Sequence, residues 1–182
     1  MIVEETKLEG CFILTPRVFE DERGYFMESF NLQAFENQTG IKSNFVQDNQ
    51  SKSSKGVLRG LHFQVRDFAQ AKLVSVIKGS VLDVAVDIRP KSNTFGKYIS
   101  VVLDAVSHKQ LYIPRGFAHG FLVLEDDTIF TYKCDNFYNQ SLERGIIYND
   151  ESLNIDWSSN NLELILSEKD LNLPTFKEYL SE

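Results

Sequence analysis

Val81-Leu82-Asp83-Val84-Ala85-Val86-Asp87-Ile88 alternates side by side along an extended chain. Leu82, Val84, Val86 and Ile88 fall on one face of a strand, and Val81, Asp83, Ala85 and Asp87 on the other. Working outward, β-branched and aromatic runs recur at 72–77, 98–103, 110–113, 120–124 and 128–134. Lys78-Gly79, Arg89-Pro90-Lys91-Ser92-Asn93 and Glu125-Asp126-Asp127 punctuate them as turns. Short strands at close spacing predict an antiparallel sandwich or barrel, and a jelly roll of about eight strands is the natural candidate. Helix signals are few. Asn31 caps a helix over 32–38 that stops at Gly40; Ser167-Glu168-Lys169-Asp170 resembles a capping box; the tail from Thr175 supplies one more short helix. The fold class is mainly β with a few short peripheral helices.

The chain has 182 residues, enough for one domain, and no repeat or low-complexity linker divides it, so 1–182 is expected to be a single domain. Its net charge is −7 and its pI about 5.0, which argues against nucleic acid as a partner. Residues 51–91 nevertheless carry 8 bases against 3 acids, a local excess suited to a small anionic ligand or to a solvated surface. The N-terminus is acidic at once, and no apolar run approaches a membrane span, so a cytoplasmic address with no membrane association is expected. Cys11 and Cys134 lack CxxC spacing and read as free buried thiols.

There are three histidines. His108 sits in a polar turn and reads as surface. His62 and His119 lie among glycines and apolar strand residues, where a lone histidine is as a rule a hydrogen-bonded core residue. Strand parity puts Leu58, Gly60, His62 and Gln64 on one face, a poor core but a good pocket floor. Arg59 then points away from His62 unless the strand bulges at Gly60. Pro114-x-Gly116-x-x-His119 resembles the second box of the cupins. A metal-binding cupin needs a first box with H-x-H and a nearby glutamate, whereas this chain has His62-Phe63-Gln64 and no glutamate at 65–70. Glutamine is a weak ligand for a divalent transition metal, so no metal site is expected.

Six segments in order resemble the dTDP-4-dehydrorhamnose 3,5-epimerase family over nearly the whole chain. They are Asp21-Glu22-Arg23-Gly24-Tyr25-Phe26-Met27-Glu28-Ser29-Phe30, Phe45-Val46-Gln47-Asp48-Asn49, Gly56-Val57-Leu58-Arg59-Gly60-Leu61-His62-Phe63-Gln64, Asp83-Val84-Ala85-Val86-Asp87-Ile88-Arg89, Ile113-Pro114-Arg115-Gly116-Phe117-Ala118-His119-Gly120-Phe121 and Leu166-Ser167-Glu168-Lys169-Asp170. Gln50 and Ala71 stand where members of the family often have His and Gly. The resemblance implies a cupin-type jelly roll, a homodimer whose N-terminal strands pair across subunits, a dTDP-sugar substrate and no cofactor. It implies that His62 is the base, Asp170 its dyad partner, Lys72 the holder of the enolate oxygen and Tyr132 the acid on the opposite face of the sugar. Arg23, Phe26, Glu28, Gln47, Asp48, Asn49, Arg59, His119, Tyr138, Glu143 and Lys169 would meet the substrate, with Tyr138 stacked on the thymine.

These residue types suit inversion at a carbon beside a ketone. The base needs a pKa near the working pH, which histidine has. A carboxylate behind it orients the ring. A cation stabilises the enolate oxygen, and arginines match a diphosphate better than loop lysines do. The expected reaction is conversion of dTDP-4-dehydro-6-deoxy-D-glucose to dTDP-4-dehydro-L-rhamnose. The rivals are a 3- or 5-monoepimerase of a related sugar, a non-catalytic nucleotide-sugar-binding cupin and a metal-dependent cupin oxygenase.

Overall fold

The computed structural model describes residues 1–159 and 162–181. The N-terminal part holds β1 (Ile2–Glu5), β2 (Phe12–Thr15), β3 (Val18–Asp21), β4 (Gly24–Met27) and α1 (Leu32–Thr39). Then follow β5 (Gln47–Ser53), β6 (Leu58–Gln64), β7 (Lys72–Lys78), β8 (Ser80–Asp87), β9 (Tyr98–Asp104), β10 (Gln110–Ile113), β11 (Phe117–Val123) and β12 (Thr128–Cys134). The chain ends with β13 (Glu143–Gly145), α2 (Glu168–Leu171) and α3 (Phe176–Leu180). One sheet runs β1-β2-β10-β7-β12-β5 and the facing sheet runs β13-β6-β11-β8-β9, while β3 and β4 form a separate hairpin. From β5 to β12 the chain repeatedly crosses from one sheet to the other, which is the winding of a jelly roll. The expected fold class holds.

The alternation of 81–88 works as read. Val81 and Ala85 point into the sandwich, where Val74, Val76, Leu111, Ile113, Phe121 and Phe130 meet them. Leu82, Val84, Val86 and Ile88 point outward, yet they are buried too. Ile146, Leu153, Trp157 and Phe176 from the C-terminal segment cover them together with Leu58, Leu61 and Phe63 of β6. At roughly 1.5–3 kcal/mol per fully buried large apolar side chain, this cover is a main source of stability. A third cluster packs Phe35 of α1 against Leu14, Leu73 and Tyr112 on the back of the larger sheet.

The acids on β8 are satisfied in place. Asp87 is fully buried and accepts hydrogen bonds from Arg89, Ser92 and Thr94. Burial pushes its carboxyl up, but those bonds and the Arg89 charge outweigh it and hold it down at about 2.

Local signals came out with small shifts. The helix at Asn31 runs to Thr39 and closes on Gly40 at φ 71. The strand expected at 120–124 begins earlier, at Phe117. Ser167 caps α2 by accepting from the Asp170 N–H, but the Asp170 carboxylate reaches the Ser167 hydroxyl instead of completing a reciprocal box. The true capping box is at α3, between Thr175 and Glu178. Both cysteines are free and buried. His108 sits in its turn at φ 54, half-buried against the Tyr25 ring at 4.8 Å.

Candidate active site

A cavity of about 470 Å³ opens between the sheets, floored by β6 and β11 on one side and by β5 and β12 on the other. The register of β6 decides what faces it. His62 pairs with His119, but Arg59 pairs with Phe121, so β6 carries one extra residue between them. That bulge corrects the simple parity reading. Leu58 and Leu61 turn to the outer core, and Arg59, His62 and Gln64 all line the cavity. Glycine makes the bulge possible. A Cβ on Gly60, whose φ is +129, would lie 2.6 Å from the Gly120 Cα and 2.9 Å from the His119 carbonyl oxygen.

His62 Nε2 lies 2.6 Å from Asp170 Oδ1. Ser167 Oγ donates to the other carboxylate oxygen at 2.7 Å. Burial works to raise the Asp170 carboxyl, but hydrogen bonds from His62, Ser167 and the Gly60 N–H hold it below its usual value. An anionic Asp170 fixes the ring proton on Nε2, as assigned from this bonding pattern. Nδ1 therefore carries the lone pair. It is buried with no hydrogen-bond partner in the structure.

Two further groups face the same space. Lys72 opens β7, with its ammonium 5.7 Å from the centre of the Tyr132 ring. Burial lowers its pKa, opposed by the charges of Asp83 and Glu143. Among the described residues no carboxylate pairs with it within 4.0 Å. Burial disfavours its charged form and no counter-charge sits beside it, so an oxygen anion in the cavity would supply the missing partner. Burial raises the Tyr132 phenol, so the hydroxyl keeps its proton at neutral pH. His119 is buried against Phe130, and burial lowers its pKa. The neutral ring donates from Nε2 to Asp83 at 2.9 Å. Phe121 and Phe130 stack at 4.1 Å beneath it as an apolar floor.

The mouth is polar and pre-arranged. Glu143 Oε2 accepts from the Tyr138 hydroxyl at 2.8 Å and pairs with Lys169 at 2.6 Å. Burial raises the Glu143 carboxyl, but these bonds and nearby positive charge bring it below its ordinary value. Gln47 donates to Asn49 at 2.9 Å and accepts from the Tyr138 N–H at 3.2 Å. Arg59 is held by Ser53 Oγ at 3.2 Å. Asn49 also donates to the Cys134 thiol, which lines the cavity and is pushed by burial to about 11.

The structure thus gathers His62, Lys72, Tyr132, Asp170, Gln47, Asn49, Arg59, His119, Tyr138, Glu143 and Lys169 around one cavity. Four expected ligand residues are not among its lining. Asp48 follows the alternation of β5 to the far side, where it pairs with Lys133 at 3.0 Å. Glu28 accepts from Asn31 at the start of α1. Arg23 is bonded to Asp21 on the β3–β4 hairpin, and Phe26 on the same hairpin is 68% exposed. Of the eight bases at 51–91, Arg59 and Lys72 line the cavity, while Lys52 pairs with Asp127 and Arg89 with Asp87. Sequence reasoning passed over Asp83 and Ser167, the partners of His119 and Asp170. An acid in an apolar alternation was the available signal for Asp83. Gln64 is a staple: it donates to the Phe68 and Phe137 carbonyls and accepts from the Asn139 N–H, so its amide is engaged. Among the described residues no group of three or more His, Cys, Asp or Glu side chains is arranged to hold a metal ion.

Comparison with known proteins agrees with this geometry. Residues 5–178 match the family described as dTDP-4-dehydrorhamnose 3,5-epimerase. The chain is 54% identical over 180 residues to the dTDP-4-dehydrorhamnose 3,5-epimerase of Escherichia coli K12, covering 99% of this chain and 97% of that one. The crystal structure of the Elizabethkingia anophelis enzyme of that name superposes with a TM-score of 0.94 at 55% identity, covering 98% and 97% of the two chains. The Legionella pneumophila dTDP-6-deoxy-D-glucose-3,5-epimerase, solved in complex with dTDP-4-keto-L-rhamnose, superposes with a TM-score of 0.92 at 45% identity, covering 97% and 93%. A dyad, a half-buried lysine and a phenol in one cavity, on a chain matched over residues 5–178, leave one assignment: this chain belongs to the dTDP-4-dehydrorhamnose 3,5-epimerase family.

Proposed function

We propose that the chain epimerises dTDP-4-dehydro-6-deoxy-D-glucose at C3 and C5, giving dTDP-4-dehydro-L-rhamnose. The observation that carries this reading is His62: one ring nitrogen is bonded to Asp170 and the other is buried, unpartnered and in the same cavity as Lys72 and Tyr132. His62 Nδ1 removes the proton beside the ketone. The electron pair moves onto the C4 oxygen, where the Lys72 ammonium stabilises the enolate. Tyr132 returns a proton from the opposite face, which inverts the carbon. Water then takes the proton from His62 and the Tyr132 phenolate regains one, and the same steps at the second carbon, on the other side of the ketone, complete the reaction.

Arg59, Lys169, Gln47, Asn49 and His119 hold the sugar and diphosphate, and Tyr138 stacks on the base. Arg23 and Phe26 act in a homodimer. They sit on a hairpin with Phe19 and Tyr25, which are 49% and 58% exposed. An apolar hairpin tip bearing an arginine suits a neighbouring subunit's cavity, where the guanidinium meets a phosphate. Residues 1–182 act as one catalytic domain, since residues from Met1 to Tyr179 join its packed clusters. Among the described residues no helix is long and apolar enough to cross a membrane. A cytoplasmic site of action follows from the nucleotide-sugar substrate.

Proton NMR of the product formed in deuterated water tests the assignment. Deuterium at both C3 and C5 is expected. Deuterium at one carbon only makes the chain a monoepimerase, and no turnover with intact binding makes it a non-catalytic nucleotide-sugar protein.

A further inference from the structure

Glu143 stands between the nucleotide-facing mouth and the base, and its two oxygens have different surroundings. Oε2 is taken by Tyr138 and Lys169. Oε1 faces His62 Nδ1 at 3.8 Å, about an ångström beyond a hydrogen bond. Nδ1 is the buried nitrogen with no partner. His62 therefore lies between two carboxylates, one bonded behind it and one held just short of bonding in front. Beside a neutral ring the Glu143 charge has no counterpart on His62; beside an imidazolium it becomes an ion pair.

We propose that Glu143 acts through His62: its carboxylate, 3.8 Å from Nδ1, stabilises by charge the imidazolium formed when the base takes the sugar's proton, and so stabilises the enolate stage of the reaction. The inference rests on His62 being the base. In the step, the C–H bond beside the ketone breaks and its electron pair enters the enolate. The proton forms the Nδ1–H bond, which points back to the carbon it left, with the Glu143 charge beside it. Glu143 remains a carboxylate throughout, because Lys169 and Tyr138 hold its charge. Water takes the proton from His62 before the base acts again. Lys169 and Tyr138 thereby gain a second part, since they clamp the carboxylate at the distance that keeps the resting base unbonded.

Glu143→Gln keeps the shape and removes the charge. It is expected to lower kcat roughly 10- to 1,000-fold, the scale of one unit-charge contact at about 4 Å near a protein surface. Glu143→Asp keeps the charge on a shorter arm and is expected to retain more kcat than Gln does, although Gln is the closer match in size. The inference is overturned if Glu143→Gln turns over within about threefold of the unaltered enzyme or if Gln outperforms Asp. An unaltered protein that fails to exchange the C3 and C5 protons in deuterated water overturns both the inference and the assignment of His62. Full exchange with an unaffected Gln variant overturns the inference alone.

Discussion

Replacing Asp170 with Asn tests the dyad at the atom where it matters. Two side-chain donors converge on this carboxylate: His62 Nε2–H and Ser167 Oγ–H. An amide offers one oxygen in place of two. If that oxygen faces His62, the ring keeps its proton on Nε2 but the imidazolium loses a counter-charge. Two unit charges about 4 Å apart at an effective dielectric near 20 attract by about 4 kcal/mol, so kcat falls roughly 10³-fold. If the amide nitrogen faces His62 instead, Nε2 must accept, the proton moves to Nδ1, and the base is blocked. A tautomer inverted in this way costs about 10⁴-fold. Either orientation leaves KM nearly unchanged, because Asp170 lies behind the ring and the cavity's nucleotide-facing groups are untouched. Initial rates with the dTDP-4-keto sugar measure both constants, and a thermal melt confirms folding. A folded Asp170→Asn protein within tenfold of the unaltered kcat would refute the dyad, since neither orientation allows it.

Other expectations follow from the same geometry. Tyr132→Phe removes the acid on the far face but leaves base and cation in place, so substrate should exchange its proton for deuterium with little inversion; inversion at the unaltered rate would exclude the phenol. Gly60→Ala drives a Cβ to 2.6 Å from the Gly120 backbone, and the cost of about 2–3 kcal/mol should lower Tm by roughly 4–12 °C; an unchanged Tm contradicts the bulge. Asp87 is depressed from 3.8 to about 2, a shift equivalent to about 2 kcal/mol. Its contribution is fully present above its unfolded value near 3.8 and is lost as pH falls toward about 2. Urea melts of Asp87→Asn beside the unaltered protein should diverge at neutral pH and converge in that acid window; a gap independent of pH removes the ionic explanation.

The central strands were legible because alternation is a local property, and 81–88 sorted its residues cleanly between two faces. Alternation left open whether its two acids meet water, and each sits dry, one under His119 and one under Arg89. Composition cannot separate those cases, since the difference lies in partners distant along the chain. The β6 register was beyond parity counting for the same reason: the extra residue depends on how closely Gly60 and Gly120 approach across two strands. Asp48 was a different kind of miss. Parity along β5 already sends Gln47 and Asn49 one way and Asp48 the other, and the family motif overrode that reading. The hairpin bearing Arg23 and Phe26 was recognisable as a motif, but a single chain gives it nothing to bind.

The pairing of His62 with a residue 108 positions later in the chain has a consequence for synthesis. Both sheets are complete by β13, while the carboxylate that orients the base arrives later, with α2. A nascent chain can assemble its strands and still lack both a competent base and the Lys169 ammonium of the mouth. The segment that brings Asp170 also roofs the outer apolar face. Catalytic competence and cover of that apolar face are therefore acquired together, so a prematurely stopped chain both lacks its base's partner and exposes apolar surface.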